Sequence, residues 1–216
     1  MFLKPLQILT LITVFLVSGC SYYANQPLDT LSYEKQIPEQ EQKNLFVMMR
    51  GIGGSHKDFE REGLIAEVWE RDLPFDLVAP NAHFAYYAER TLLPRLKEDV
   101  IEPAKKAGYD NIWLVGFSMG GLGSLLYYKD FPDDISGICL ISSFLGYEEI
   151  IDEIEHAGGL SQWEVGEFDR EEDWQREFWR WIKETSETGF QIPVYLGIGR
   201  EDKFIKSNTL MISLLD

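Results

Sequence analysis

Ser118 stands in Gly116-Phe117-Ser118-Met119-Gly120, a G-x-S-x-G pentapeptide that follows the apolar run IWLVG (112–116) and opens the stretch MGGLGSLLYY. That spacing suits a serine nucleophile. At a sharp turn from strand to helix the hydroxyl stands exposed at the top of a sheet, and the flanking glycines keep side chains from colliding there. Gly121 and Gly123 let the helix pack closely on the sheet. A serine hydroxyl attacks a carbonyl only when a base takes its proton. The oxyanion that forms needs preorganised donors, and losing one costs about 100- to 1000-fold in turnover. The chain has three histidines, and none comes after residue 156.

The elements that must position this serine can be read from residue 44 onward. Short apolar runs at LFVMM (45–49), FDLVAP (75–80), IWLVG (112–116), SGICLIS (136–142) and IPVYLGIG (192–199) predict five strands. Helical stretches separate them, at 58–70, at about 89–107 and after Ser118. Continuous apolar strands alternating with helices imply an α/β fold, a mainly parallel sheet with helices on both faces. Between the fourth and fifth strands, residues 147–190 form an acidic, tryptophan-rich insertion, expected as a helical cap. Ile150, Ile151 and Ile154 share one helical face. Trp174, Phe178, Trp181 and Ile182 follow i, i+4, i+7, i+8 spacing, an amphipathic stripe that packs the cap on the domain and could line a pocket.

The G-x-S-x-G elbow, the glycine-rich RGIGGS (50–55) after the first strand and GIGREDKF (197–204) after the fifth together resemble the α/β-hydrolase family, from residue 44 to the end of the chain. The resemblance implies a serine hydrolase acting on carboxylic esters or thioesters. RGIGGS matches the family's H-G-x-G-G loop, with Arg50 where the histidine usually stands. The oxyanion donors implied are the N–H of Met119 and that of Ile52, with Gly53 as the runner-up. Asp202 matches the family's acid, which orients the histidine, and Glu201 is the rejected neighbour.

In the family the histidine follows the acid after one more helix and one more strand. Here 14 residues follow Asp202, and IKSNTLMISLLD resembles that helix alone. The expectation is therefore a chain truncated before the last strand and its histidine, with the catalytic base not encoded. The alternative is a catalytically impaired or inactive hydrolase remnant acting as a binding protein. His56, after the oxyanion loop, and His83, in APNAHFAYY, fall near the carboxyl edge of the sheet, where ligands bind. They are expected as substrate-pocket residues, and His156 as a surface residue of the insertion.

The N-terminus reads as targeting. Lys4 precedes the apolar run LQILTLITVFLV, too short to span a bilayer comfortably. Val17-Ser18-Gly19-Cys20 resembles a bacterial lipobox, which implies a signal peptide over 1–19 and lipid on Cys20. Ser21 resembles the pattern that permits transport to an outer membrane. Residues 20–43, polar with two prolines, read as a tether carrying a hydrolase domain over 44–216. The expected partners are a small ester-like substrate and the membrane of the cell envelope. A net charge of −16 without a basic cluster argues against nucleic acid. Without H-E-x-x-H or a Cys/His cluster no metal is expected, and no nucleotide cofactor without a G-x-G-x-x-G or P-loop pattern. Cys139 has no partner if Cys20 is lipidated, and reads as an inert buried thiol.

Overall fold

The computed structural model describes residues 24–35 and 43–215; the expected signal peptide over 1–19, Cys20 and Ser21 lie outside the described residues. Six strands form one sheet in the order β1-β3-β2-β4-β5-β6. They are β1 (Thr30–Tyr33), β2 (Lys43–Met49), β3 (Asp76–Pro80), β4 (Tyr109–Phe117), β5 (Gly137–Ile141) and β6 (Val194–Gly197). All neighbours run parallel except β1, which lies antiparallel to β3. The helices are α1 (Asp58–Arg61), α2 (Leu64–Glu70), α3 (Phe84–Ala88), α4 (Leu92–Leu96), α5 (Glu102–Lys106), α6 (Met119–Asp130), α7 (Glu148–His156), α8 (Trp174–Thr188) and α9 (Ile205–Ile212).

The central strands β2 to β5 are apolar along most of their length because helices cover both faces of the sheet. Alternate residues go to opposite sides. Leu45, Val47, Met49, Val78, Ile112, Leu114, Ile138 and Leu140 join the larger core. Met48, Leu77, Ala79 and Val115 join the smaller one, under Phe59 and Ile65 of α1 and α2. Helix α6 lies within the larger core and is buried along most of its length, which explains why its sequence shows no polar face.

Three details differ from the expectation. The helix expected over 58–70 breaks into α1 and α2 at Gly63, whose φ of +81° ends the first turn. The helix expected near 89–107 starts at Leu92 and passes between α4 and α5 through a π-helical turn, Lys97–Ile101. The domain also begins before residue 44. Within the segment expected as tether, Thr30–Tyr33 pair with Leu77–Pro80, and Ala24 and Leu28 are buried. Thr91 Oγ1 donates to the Ala24 carbonyl at 2.5 Å and the Leu28 amide donates to Asp99 Oδ2 at 2.8 Å. A four-residue edge strand needs few apolar side chains, so its signal in a polar surround is weak.

Between β5 and β6 the insertion forms α7 and α8. Ile150, Ile151 and Ile154 of α7 are buried, as are Phe178, Trp179 and Ile182 of α8. Trp174 and Trp181, expected on the same stripe, are half-buried against the core. The carboxylate of Glu153 on α7 takes both ends of the Arg176 guanidinium, at 2.6 and 2.7 Å, and the Trp163 indole at 2.7 Å. Such two-point pairs fix orientation as well as adding energy. The aromatic face of the insertion is thus spent largely on packing.

Two carboxylates make this fold sensitive to acid. Burial opposes the charge of Asp134, but hydrogen bonds from Lys105, Lys97 and Tyr127 outweigh it and hold the carboxyl at about 2. Arg180 does the same for Glu177, against a smaller cost of burial and with help from Lys129, again to about 2. Both values lie below those of the unfolded chain, so the stability they contribute is present above about pH 4.5 and is lost as pH falls toward 2. Each is expected to contribute roughly 1–2 kcal/mol. Urea midpoints should fall steadily from pH 5 to pH 3, and Asp134→Asn should flatten that fall.

Candidate active site

The switch in strand direction assembles the site. From β2 the chain crosses first to β3 on one side and then to β4 on the other, which opens a crevice at the carboxyl ends of β2 and β4. Met49 pairs with Gly116, so the loop leaving β2 starts beside the turn leaving β4. Ser118 is that turn. It has φ 51° and ψ −116°, left-handed backbone that a non-glycine residue rarely adopts. Its amide donates to the Ile141 carbonyl at 3.0 Å, and its carbonyl accepts the Gly121 and Phe144 amides, each at 3.0 Å. These three bonds hold the strained residue between β5 and α6, and its side chain remains partly exposed.

The glycines of the motif are steric necessities. A Cβ on Gly116 would lie 2.5 Å from the Gly120 carbonyl oxygen, and one on Gly120 would lie 2.1 Å from the Met49 carbonyl oxygen. Helix α6 therefore crosses the sheet at backbone contact. Its start places the amides of Met119 and Gly120 where no earlier helical carbonyl can accept them, at the positive end of the helix dipole. Met119, the expected first oxyanion donor, sits there. Tyr87 fixes that turn by donating its hydroxyl to the Met119 carbonyl at 3.1 Å.

The second donor was expected in the loop at 50–55. Gly51 lies beside the serine: a Cβ there would lie 3.3 Å from Ser118 Cβ and 3.9 Å from Oγ. The Gly54 amide closes a turn onto the Gly51 carbonyl at 3.3 Å, with Ile52 and Gly53 exposed at its tip. The elbow and the glycine loop are thus brought together.

Asp202 follows β6, half-buried at the start of the turn into α9. Its Oδ1 accepts the Phe204 amide at 2.8 Å. The histidines are engaged elsewhere. His56 is buried, with Nε2 3.2 Å from Asp29 Oδ2, and it ties the N-terminal segment to the domain. His156 on α7 has Nδ1 2.6 Å from the Asp152 carbonyl. His83 packs on Tyr86 with ring centroids 4.5 Å apart. Burial, with help from the nearby Arg50 charge, lowers its pKa, so the imidazole is neutral at pH 7.

A cleft of about 350 Å³ opens beside the glycine loop, lined by Arg50, Ile52, Asn81, His83 and Phe84 among others. His83 lines this cleft and His56 does not. Ile52 and Phe84 offer apolar surface at its mouth, each about half exposed. On the other side of the elbow, Phe144 packs against Tyr147, Trp174 and Phe204, with centroids 5.2, 6.2 and 5.6 Å away. The insertion therefore sends Tyr147 and Trp174 against Phe144, whose amide holds the Ser118 carbonyl. Among the described residues no group of three or more His, Cys, Asp or Glu side chains is placed to hold a metal ion, and no helix is long and apolar enough to cross a membrane.

Residues 44–173 match the family model of the alpha/beta hydrolase fold. The chain belongs to the α/β-hydrolase fold family. Solved structures agree with this fold. The S-formylglutathione hydrolase of Staphylococcus aureus is 14% identical with a TM-score of 0.58, over 87% of this chain and 82% of that one. A fluorophosphonate-binding serine hydrolase of the same organism is 14% identical with a TM-score of 0.57, over 88% and 86%. A monoacylglycerol lipase of Paleococcus ferrophilus is 15% identical with a TM-score of 0.54, over 88% and 85%. Among curated proteins none matches.

Several supports of this α/β-hydrolase site were not foreseen. Asn208 on α9 is fully buried. It takes the Ser143 amide on Oδ1 at 3.3 Å and gives Nδ2 to the Ser143 carbonyl at 2.8 Å. It thereby locks the helix that follows Asp202 to the turn that holds Ser118. Tyr87 and Asn81 also escaped notice. Each is a polar residue whose partner lies more than 30 positions away, so no local pattern announces it. Cys139 is half-buried rather than buried, although burial still raises its thiol pKa.

Proposed function

We propose that this protein is a serine hydrolase of carboxylic esters or thioesters, with Ser118 as nucleophile. The Met119 and Ile52 amides hold the oxyanion, and Asp202 is the acid of the site. The observation that carries the reading is the strained, partly exposed Ser118 at the start of a buried helix, with a glycine loop packed against it. Backbone strain of about 1–3 kcal/mol persists only where the surroundings impose it, and such residues cluster at active sites. The cleft at Ile52 and Phe84 and the aromatic group at Phe144 suit the apolar parts of a small ester. The substrates named for the hydrolase and lipase neighbours are of the same chemical kind.

In this mechanism Ser118 Oγ adds to the carbonyl carbon while its proton passes to a base. The tetrahedral oxyanion takes hydrogen bonds from the two amides, the alcohol or thiol leaves, and water releases the acid. A second reading, a binding protein with impaired turnover, is favoured by one set of contacts. Asp202 engages the Phe204 amide, His56 faces Asp29 and His156 faces the Asp152 carbonyl. Turnover of p-nitrophenyl acetate decides between the two. A serine hydrolase loses its activity to the buffer rate on Ser118→Ala; equal rates for the two chains favour the binding protein.

We further propose that lipid on Cys20 holds the protein at the cell envelope, on the strength of Val17-Ser18-Gly19-Cys20. One acyl chain alone anchors only marginally, so stable attachment needs more than one. Cys20→Ala is expected to move the protein from the membrane to the soluble fraction on ultracentrifugation; unchanged sedimentation would sink the idea.

A further inference from the structure

Arg50 occupies the position before Gly51 in the loop that faces Ser118, and it is 8% exposed. A buried guanidinium must spend its N–H groups on acceptors. Here Nε donates to the Gly51 carbonyl at 3.2 Å and Nη2 to the Ile52 carbonyl at 3.1 Å, while Nη1 donates to Asn81 Oδ1 at 2.8 Å. Asn81 directly follows β3, so the fork is anchored to the sheet edge and grips two consecutive carbonyls of the glycine loop.

Those carbonyls belong to the peptides that carry the Ile52 and Gly53 amides. Every peptide described is trans, so each N–H points opposite to its C=O. With both carbonyls drawn to the guanidinium, both amides are turned away from it. The Gly54 amide also holds the Gly51 carbonyl at 3.3 Å, and the guanidinium adds its grip there and on the Ile52 carbonyl, in a turn whose glycines leave the backbone otherwise permissive. We infer that Arg50 is a positioning residue of the oxyanion hole: by holding the Gly51 and Ile52 carbonyls it aims the Ile52 amide, with Gly53 beside it, at the oxygen of the substrate on Ser118. Asn81 extends the brace to β3. The inference rests on the proposed serine-hydrolase reading, and it assigns to the buried cation an orienting role through the loop carbonyls.

The test compares wild type, Arg50→Met, Arg50→Lys and Ser118→Ala in p-nitrophenyl acetate hydrolysis. An oxyanion donor acts mainly in the transition state, and removing one costs about 100- to 1000-fold. A misaimed donor should cost part of that. Arg50→Met is therefore expected to lower kcat about 10- to 100-fold with KM changed less than about 3-fold. Arg50→Lys, which keeps a donor but not the fork, should recover part of the loss. Loss of folding alone would lower the active fraction in proportion to the unfolded population, so thermal midpoints are taken alongside. A kcat for Arg50→Met within about 2-fold of wild type overturns the inference. If wild-type turnover does not depend on Ser118, the serine-hydrolase reading falls. The crystal structure of Arg50→Met, or of Arg50→Lys if the methionine variant does not fold, then decides the positioning by itself. A reoriented Gly51–Ile52 peptide supports the inference, and an unchanged one overturns it.

Discussion

Gly120→Ala is expected to destabilise the fold by about 3 kcal/mol or more, the upper end of what overpacking costs. The added Cβ would stand 2.1 Å from the Met49 carbonyl oxygen, 2.5 Å from its carbon and 2.8 Å from the Arg50 oxygen. None of these is the end of a flexible side chain. All are backbone of β2 and its exit, and β2 is paired on both sides, to β3 and β4. Neither partner can retreat without breaking the central ladder or lifting α6 from the core. For a chain of this size each kcal/mol lowers Tm by about 2–4 °C, so a fall of roughly 6–12 °C is expected. Gly53→Ala is the control. Nothing lies within 4 Å of its Cβ position, and its thermal midpoint should stay close to wild type. Similar midpoints for the two variants would contradict the backbone-contact argument. Gly120→Ala should also displace the start of α6, and with it Ser118 and the Met119 amide.

Trp179→Ala is the second large effect, expected at about 3–5 kcal/mol. The side chain is fully buried, meets Phe178 edge to face at 5.6 Å, and donates its indole N–H to the Leu145 carbonyl at 2.8 Å. Truncation leaves a cavity and strands a buried carbonyl, which adds about 1–3 kcal/mol where water cannot reach it. Leu145 follows Phe144, whose amide holds the Ser118 carbonyl, so the change strikes the residue next to the elbow's own support. Trp181 is only half-buried, and Trp181→Ala is expected to cost about half as much or less. Urea midpoints for the two variants check this, and a larger loss for Trp181→Ala would refute the assignment of Trp179 to the core.

The same tryptophans show how far a sequence can be read. Helical periodicity locates α8 and its apolar side, because Phe178 and Ile182 repeat at the helix period. It chose Trp181 over Trp179, since spacing alone cannot see that the Leu145 carbonyl awaits an indole. The parallel strands were legible as continuous apolar runs, because burial on both faces leaves no polar alternation. Strand β1 was not, because an edge strand of four residues needs no such run. Around the candidate site, the turn at Ser118 and the glycine loop were legible because steric demand restricts the residue types at a tight turn. Asn81, Tyr87 and Asn208 act through partners distant in the chain, and only the fold reveals them; Arg50 stood out in the sequence in place of a histidine, but its grip on the loop is visible only in the fold. His56 followed the glycine loop and so was placed near the cleft; its ring turns instead toward Asp29, in a segment expected to lie outside the domain.

The central claim is that Ser118 is a reactive nucleophile. It is tested most directly by incubating the wild-type chain and Ser118→Ala with a fluorophosphonate and measuring intact and peptide masses. A serine activated at this elbow displaces fluoride and keeps the phosphonyl group. The expected result is one adduct per chain, on the peptide that contains Ser118, and none on the alanine variant. An unmodified wild-type chain, or an adduct that persists in Ser118→Ala, would contradict the claim.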